Sequence, residues 1–222
     1  MRVLYHLPID PGSRKVRILL REKQLDFELK SEKIWERREG FLKLNPAGEV
    51  PVLLEEDGTT IPDHQVIAEY LEDCYPESSL MGRTPLDRAE TRRLANWFDH
   101  KFAREVTENL VNEKILKRFI GLGEPHSASI RAGHANIHHH LDYIAWLCDR
   151  RRWLAGDDFS LADVAAAAQI SAVDYLGDVP WNDNAGAKDW YARVKSRPSV
   201  RPILADYIPG IVPPKYYADP DF

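Results

Sequence analysis

The chain has 222 residues, of which 44% are hydrophobic and 29% are charged. This is an ordinary globular composition, and the length allows one large core or two modest cores packed together. The formal net charge is −5, with acidic and basic residues well mixed, which argues against a nucleic-acid partner and a polybasic membrane patch. No apolar stretch approaches about 18 residues and no signal peptide follows Met1, so we expect a cytoplasmic protein without direct membrane insertion.

The first 77 residues predict a small mixed domain. Short apolar runs typical of strands alternate with runs whose apolar residues recur at helical spacing. In chain order the predicted elements are a strand (RVLYHL), a helix (SRKVRILLREK), a strand (DFELKSEK), two strands around the turn EDGT (PVLLEED and TTIPD) and a helix (HQVIAEYLEDCY). This order, β-α-β and then β-β-α, predicts an α+β domain over residues 1–77.

The remainder of the chain predicts helices only. Residues 78–84 are rich in turn-forming residues and are interpreted as a linker. Beyond the linker, apolar residues repeat at helical spacing in the segments near 85–119, 127–152, 160–175 and 186–206. We therefore predict an all-helical domain over residues 85–206, followed by a tail over residues 207–222 that is rich in proline and aromatic residues.

Five motifs distributed along the chain carry a family signature. They are DPGSRKVRILLREK after the first strand, NPAGEVPVLLEEDG, IPDHQVIAEYLEDCYP, FSLADVAAAA and WYARVKSRPSVRPIL. Together they resemble the glutathione S-transferase superfamily across nearly the whole chain. The resemblance implies a thioredoxin-like N-terminal domain followed by an all-α C-terminal domain. It also implies a homodimer, in which the first domain of one subunit meets the helical domain of the other.

The start of the first helix departs from the pattern of this superfamily. Asp10 followed by Pro11 is a helix-start signal, but the resemblance places Asp10 where related enzymes have a serine, cysteine or tyrosine that donates a hydrogen bond to the glutathione thiolate. An ionised aspartate cannot donate, and two negative charges about 4 Å apart repel by about 4 kcal/mol at an effective dielectric near 20. The alternative is that Ser13 serves as a substitute donor.

Two further motifs fall at positions that the resemblance assigns to the glutathione site. It implies that the Val50–Pro51 bond is cis, and it aligns Asp63 and His64 with the acidic residue and serine that hold the γ-glutamyl end of glutathione. Asp63 keeps a carboxylate for an ammonium group, whereas His64 replaces a small hydroxyl with a ring that would fill the pocket. We therefore expect no cofactor and only weak glutathione binding.

Some polar and apolar patterns have structural interpretations. Ser160 to Asp163 (SLAD) resembles a helix capping box, so we interpret Asp163 as a structural carboxylate. His134 and His138 have a spacing that can bind a metal, but no nearby cysteine or carboxylate pattern completes a site. We expect these histidines to lie on a partly solvated helix face and predict no metal site.

Trp35 stands among charged residues in SEKIWERREG. A large aromatic side chain in such a setting is expected to be partly exposed and can anchor a protein partner. The alternative is that Trp35 packs against the edge of its own domain. With Arg37 and Arg38 beside it, the position is a candidate contact surface for an acidic protein.

The tail has four prolines and four aromatic residues within residues 207–222. Proline-rich segments lose little entropy on binding and are common recognition elements. We therefore predict a partner-binding tail whose candidate contact residues are Pro213, Pro214, Lys215, Tyr216, Tyr217, Asp221 and Phe222. The alternative, which the family resemblance implies, is that the tail folds back on its own domain. The tail and the altered thiol position together resemble the FtsZ-binding, transferase-like proteins of alphaproteobacterial cell division.

The resulting hypothesis is a non-catalytic protein of the transferase fold that binds FtsZ polymers as a homodimer. The resemblance implies a cytoplasmic protein at the division site that regulates constriction, with a possible downstream division or cell-wall synthesis component bound by the tail. Two alternatives stay open: a glutathione-dependent transferase that uses Ser13, and a structural or translation-associated module with unrelated partners.

Overall fold

The computed structural model describes residues 1–222 and places a four-stranded sheet at the N-terminal end. The strands are β1 (Arg2–His6), β2 (Phe27–Ser31), β3 (Val52–Leu54) and β4 (Thr60–Pro62). Their spatial order is β2-β1-β3-β4, with β1 parallel to β2 and the other pairs antiparallel. In this register Leu4 pairs with Leu53, and neither residue has accessible surface. The sheet therefore contributes its central strands to the core.

Three helices pack with this sheet. They are α1 (Pro11–Glu22), α2 (Glu39–Leu42) and α3 (His64–Cys74), with single 3₁₀ turns at Ile34–Glu36 and Pro76–Ser78. The apolar residues of α1 recur at helical spacing, and Val16, Leu19 and Leu20 are fully buried. The predicted β-α-β-β-β-α order is confirmed, and the short helix α2 between β2 and β3 is an addition that the sequence analysis did not predict.

The second half of the chain is helical throughout. Its elements are α4 (Pro85–Asn96), a π-helical segment (Trp97–Leu116), α5 (Lys117–Ile120), α6 (Ser127–Cys148), α7 (Leu161–Asp174), a 3₁₀ turn (Trp181–Asp183), α8 (Ala185–Lys195) and α9 (Arg201–Leu204). The structure confirms the predicted thioredoxin-like domain followed by an all-α domain. No helix combines the length and the apolar character needed to cross a membrane.

Helix α7 forms the centre of the helical half, because all of its residues are buried. Ser160 and Asp163 cap its first turn reciprocally, as the capping-box motif predicts. The Asp163 carboxylate also accepts hydrogen bonds from the Leu154 amide (3.0 Å) and the Trp190 indole (2.9 Å). Its buried charge is thus held by donors from three parts of the chain, which is a structural role.

The last predicted helix is divided into two. The helical spacing near residues 186–206 predicts a helical segment, within which α8 ends at Lys195 and α9 begins at Arg201. Pro198 lies between them, and proline has no amide hydrogen for an intrahelical bond. The interruption lets α9 turn toward α1, where Asp206 forms a bidentate ion pair with Arg17 (2.6 and 2.9 Å).

The prediction that the tail aromatics face another protein is wrong for Tyr217, whose side chain is buried, and Phe222 also packs against the helical domain. The Tyr217 hydroxyl accepts a hydrogen bond from Arg14 (2.9 Å). The Phe222 ring lies against Trp181 (ring centroids 5.2 Å apart), and the Lys195 ammonium lies over that ring at 3.5 Å. Prolines exclude the tail from helices and sheets, but they do not prevent its aromatic rings from packing into a core.

Tyr217→Ala is therefore expected to lower the free energy of unfolding by about 3 kcal/mol or more, because it leaves a large cavity and removes a partner of a buried arginine. Urea denaturation measures the change. The matched control is Tyr207→Ala, since Tyr207 is 69% exposed and its loss should cost less than about 0.5 kcal/mol. Equal effects of the two substitutions would show that the tail is not part of the core.

Candidate functional site

The beginning of α1 is built around Asp10. Its Oδ2 accepts a hydrogen bond from the Ser13 amide at 2.6 Å, and Pro11 occupies the first helical position. Asp10 is thus the N-cap that the sequence predicts. Burial raises the pKa of the Asp10 carboxyl, although the hydrogen bonds from Ser13 oppose this effect. The Asp10 carboxylate thus satisfies an otherwise unpaired backbone amide at the start of α1.

Ser13 is not placed to act on a ligand. The residue has no accessible surface, and its Oγ accepts a hydrogen bond from the Leu7 amide at 3.2 Å. The hydroxyl therefore ties α1 to the end of β1 in the interior. A thiolate donor must reach the cleft, so the geometry does not support the alternative in which Ser13 replaces the missing donor.

His64 lies directly over the first turn of α1. A Cβ atom added to Gly12 would come within 2.9 Å of His64 Cδ2 and 3.3 Å of Asp10 Oδ2. Gly12 thus supplies the space that the imidazole occupies, since any side chain there would collide with the ring. The histidine is a departure that the resemblance implies, and the glycine leaves the room that its ring needs.

A buried ion pair stands behind this ring. Lys15 Nζ in α1 donates to Asp99 Oδ2 in the π-helical segment at 2.6 Å, and the two side chains are only 1% and 3% exposed. Lys15 Nζ also lies 3.4 Å from His64 Nδ1. Burial lowers the pKa of the His64 imidazole, and the ammonium of Lys15 lowers it further. A neutral His64 accepts from Lys15, and these three residues are called the interdomain bridge below.

The remaining predicted site positions keep their backbone geometry. The Val50–Pro51 peptide bond is cis, as the resemblance implied, and the Pro51 carbonyl accepts a hydrogen bond from the Asp63 amide at 3.2 Å. Asp63 has a positive φ of 75° and caps α3, because its Oδ1 accepts from the amides of Gln65 (2.7 Å) and Val66 (3.0 Å). One oxygen of the Asp63 carboxylate, which the resemblance assigns to an ammonium group, is therefore already hydrogen-bonded within the protein.

Trp35 is partly exposed, as its charged surroundings predict. Its ring stacks on Phe119 of α5, with ring centroids 5.9 Å apart, so it packs across the two halves of the chain and not only against the edge of its own domain. Arg37 next to it is exposed and forms no ion pair. Arg38 donates to both oxygens of Glu32, whose side chain is buried. Arg37 is thus the cation of this segment that is free to meet a partner.

Exposed parts of the tail lie at Lys215 and Asp221, while Pro213, Pro214 and Tyr216 are partly buried. His134 and His138 are about half exposed, in agreement with a solvated helix face. No group of three histidine, cysteine or carboxylate side chains stands close enough together to hold a metal ion.

Sequence reasoning did not identify Lys15, Asp99 and Arg14 as interior groups. Lys15 and Asp99 are 84 positions apart, and no local pattern relates them. Two consecutive cations near the start of an amphipathic helix are ordinarily solvated. The one local signal is Gly12, because a residue without a side chain leaves room for a neighbouring ring.

The comparisons with known proteins agree with this fold. The family model described as "Glutathione S-transferase, N-terminal domain" matches residues 11–74. Glutathione S-transferase 2 of Saccharomyces cerevisiae is 31% identical over 91% of this chain and 89% of its own length. A crystal structure of a glutathione S-transferase from Rhodospirillum rubrum F11 is 59% identical, covers both chains completely and superimposes with a TM-score of 0.98. The chain belongs to the glutathione S-transferase family.

Within this family the chain is also similar to a protein whose name refers to its localisation with FtsZ. FtsZ-localized protein A of Caulobacter vibrioides is 47% identical over all of this chain and 98% of its own length. The solved structure of FzlA from C. crescentus has a TM-score of 0.96 at 47% identity and covers 100% of this chain and 99% of that one.

Asp99→Asn tests the interdomain bridge. The substitution leaves the Lys15 ammonium buried without its counter-charge, so it should lower the free energy of unfolding by about 3 to 5 kcal/mol. Glu69→Gln is the matched control, because the Glu69–Arg92 pair is 37% and 41% exposed and its loss should cost less than about 1 kcal/mol. Chemical denaturation of both variants makes the comparison, and similar small losses would contradict a buried bridge.

Proposed function

We propose that this protein is a non-catalytic member of the glutathione S-transferase family that binds FtsZ polymers at the division site in the cytoplasm and regulates constriction. The observation that carries the proposal is the closed thiol position, where Asp10, Gly12 and His64 fill the start of α1. The full-length similarity to a protein named for its localisation with FtsZ supports the choice of partner.

The chemistry at α1 argues against thiol activation. A catalytic site of this family would need a donor and a positive field to favour a thiolate. Here an ionised Asp10 would be an acceptor that repels the thiolate, and the only nearby hydroxyl, that of Ser13, is buried. The cationic Lys15 is paired with Asp99 behind the His64 ring. Glutathione is therefore expected to bind poorly and to remain unactivated.

The proposed FtsZ surface is centred on Trp35 and Arg37. Trp35 is held by its stack on Phe119, so it would enter a complex as a rigid anchor with little entropy left to lose. Ile120 and Leu122, which follow Phe119 in the chain, are 38% and 67% exposed and offer further apolar side chains. Arg37 would supply steering toward an acidic partner. Arg38 would act as a positioning residue, because its pairing with the buried Glu32 fixes the segment beside Arg37.

The tail has a narrower proposed role than the sequence suggested. Its buried Tyr217 holds the segment to the protein, so the contact with a downstream division or cell-wall synthesis component would be made by exposed residues such as Lys215 and Asp221.

A homodimer is proposed from the family resemblance. Light scattering checks this state, and a mass near one 25.5 kDa chain at micromolar concentration would count against it.

Co-sedimentation with purified FtsZ polymers tests the proposed partner. The wild-type protein should pellet only when FtsZ assembles, and Arg37→Glu should weaken this binding about tenfold because it reverses the steering charge. Arg131→Glu is the matched control, since Arg131 is also exposed and forms no ion pair. Trp35→Ala is a less clean variant, because it also removes the stack on Phe119.

Failure of the wild-type protein to pellet with FtsZ would remove the proposed function and favour a partner outside cell division. If neither Arg37→Glu nor Arg131→Glu weakens pelleting, FtsZ remains the partner but the surface around Trp35 and Arg37 is excluded. Both variants should have melting temperatures near that of the wild-type protein. Any loss of FtsZ binding then arises at the contact itself.

Glutathione conjugation distinguishes the proposal from its enzymatic alternative. With a standard electrophile, the wild-type protein should show only the uncatalysed rate, because no exposed donor stabilises the thiolate. The double variant Asp10→Ser, His64→Ser restores a hydroxyl at a position where serine still caps the helix and removes the ring. It should bind glutathione at least about tenfold more tightly, by calorimetry. Wild-type conjugation that disappears in Ser13→Ala would establish the alternative.

A further inference from the structure

Three fully buried side chains near the tail each have one polar atom with no hydrogen-bond partner in the protein. The atoms are Arg14 Nη2, Asp174 Oδ2 and Tyr191 Oη, and all three residues have 0% exposure. Buried polar atoms are almost always satisfied by protein groups or by ordered water. Three such atoms in one region therefore point to a bound molecule.

Hydrogen bonds and stacking place the three groups near one turn of α7. Arg14 Nη1 donates at 2.9 Å to Ser171 Oγ, one turn before Asp174 in the same helix. The Trp181 indole donates to the other Asp174 oxygen, Oδ1, at 2.7 Å and stacks on Tyr191 with ring centroids 4.8 Å apart. Lys195 Nζ lies 5.2 Å from the centre of the Tyr191 ring and 3.7 Å from Asp174 Oδ2, too far for a direct hydrogen bond. Burial raises the pKa of Tyr191; Asp174 raises it further, and Arg14 opposes the rise. Both charged groups thus act on the same hydroxyl.

The three atoms have complementary hydrogen-bonding capacities. Arg14 Nη2 can only donate, Asp174 Oδ2 accepts when ionised, and the Tyr191 hydroxyl can do both. An anion would meet the Asp174 carboxylate, and a cation would meet Arg14 and Lys195. A small neutral molecule with both donors and acceptors satisfies all three, and a buried water typically makes about three such bonds.

We propose that Arg14 Nη2, Asp174 Oδ2 and Tyr191 Oη together bind one buried water molecule. The water accepts from Arg14, donates to Asp174 and exchanges a hydrogen bond with Tyr191. It joins α1, α7 and α8 at the place where the tail is attached.

This water completes the attachment of the tail. Arg14 Nη1 donates to Tyr217 Oη and to Ser171 Oγ, both at 2.9 Å. On the other side of the site, Lys195 Nζ donates to the carbonyl oxygens of Tyr216 and Asp219, both at 3.1 Å. The two cations that hold the tail are therefore the ones next to the proposed water. Loss of the water would leave Asp174, the carboxylate beside Lys195, with an unsatisfied oxygen and loosen the tail.

A high-resolution crystal structure of the full chain tests the site directly. The expected result is one ordered water within hydrogen-bond distance of all three atoms. A direct bond between Tyr191 Oη and Asp174 Oδ2, density for an ion, or the absence of a water that reaches all three atoms would overturn the proposal.

Tyr191→Phe provides the functional test, because it keeps the ring that stacks on Trp181 and removes only the hydroxyl. The Tyr217 amide donates to the Pro214 carbonyl at 3.0 Å, so its hydrogen exchange reports on the tail. We expect this exchange to accelerate at least about tenfold in the variant, with no change in the control Tyr207→Phe. Unchanged exchange in Tyr191→Phe would overturn the proposed role in tail attachment.

Discussion

The buried contact between Lys15 and Asp99 is the interaction on which the rest of the site depends. It joins the first helix of the sheet domain to the helical domain through two charges that have almost no access to water. Removing two charges from water is costly, and the cost is recovered only when both partners are held in good geometry. His64 completes that geometry by accepting from Lys15, so the ring is required where a ligand would otherwise approach α1.

The other departures from the family pattern fit this constraint. Gly12 leaves room for the His64 ring, and Asp10 satisfies the amide of Ser13 at the helix end. A glutathione thiolate would compete with the Asp10 carboxylate for the same positive helix terminus. Asp10, Gly12 and His64 therefore support one another at the start of α1, while the scaffold positions, such as Pro51 and Asp163, have structural roles.

Local signals explain which features could be predicted from the sequence. The strand and helix order, the Asp10 cap and the capping box at α7 all depend on residues within one turn of each other, and each is confirmed. The contacts of Lys15 with Asp99 and of Trp35 with Phe119 join residues 84 positions apart, and no periodic pattern reports such pairs. The prolines of the tail correctly exclude it from helices and sheets, but they do not report where its aromatic rings pack. That packing depends on Arg14 and Lys195, which are distant in the sequence.

The tail and the first helix are also connected through Arg14, which follows the altered thiol position in the chain. Its Nε donates to the Pro8 carbonyl at 2.7 Å, while Nη1 binds Tyr217. The loop before α1 and the C-terminal segment thus share one buried guanidinium. A partner that engages the exposed side of the tail would act on a segment anchored in the core, which suits an adaptor better than a flexible arm.

The central claim is that the interdomain bridge and its neighbours occupy the place of a bound thiol. Titration of the isotopically labelled protein with glutathione, followed by the amide resonances of Ser13, Val50 and Gln65, tests this claim most directly. No saturable shift of these resonances is expected at millimolar glutathione. Saturable shifts confined to these amides, with a micromolar dissociation constant, would contradict it.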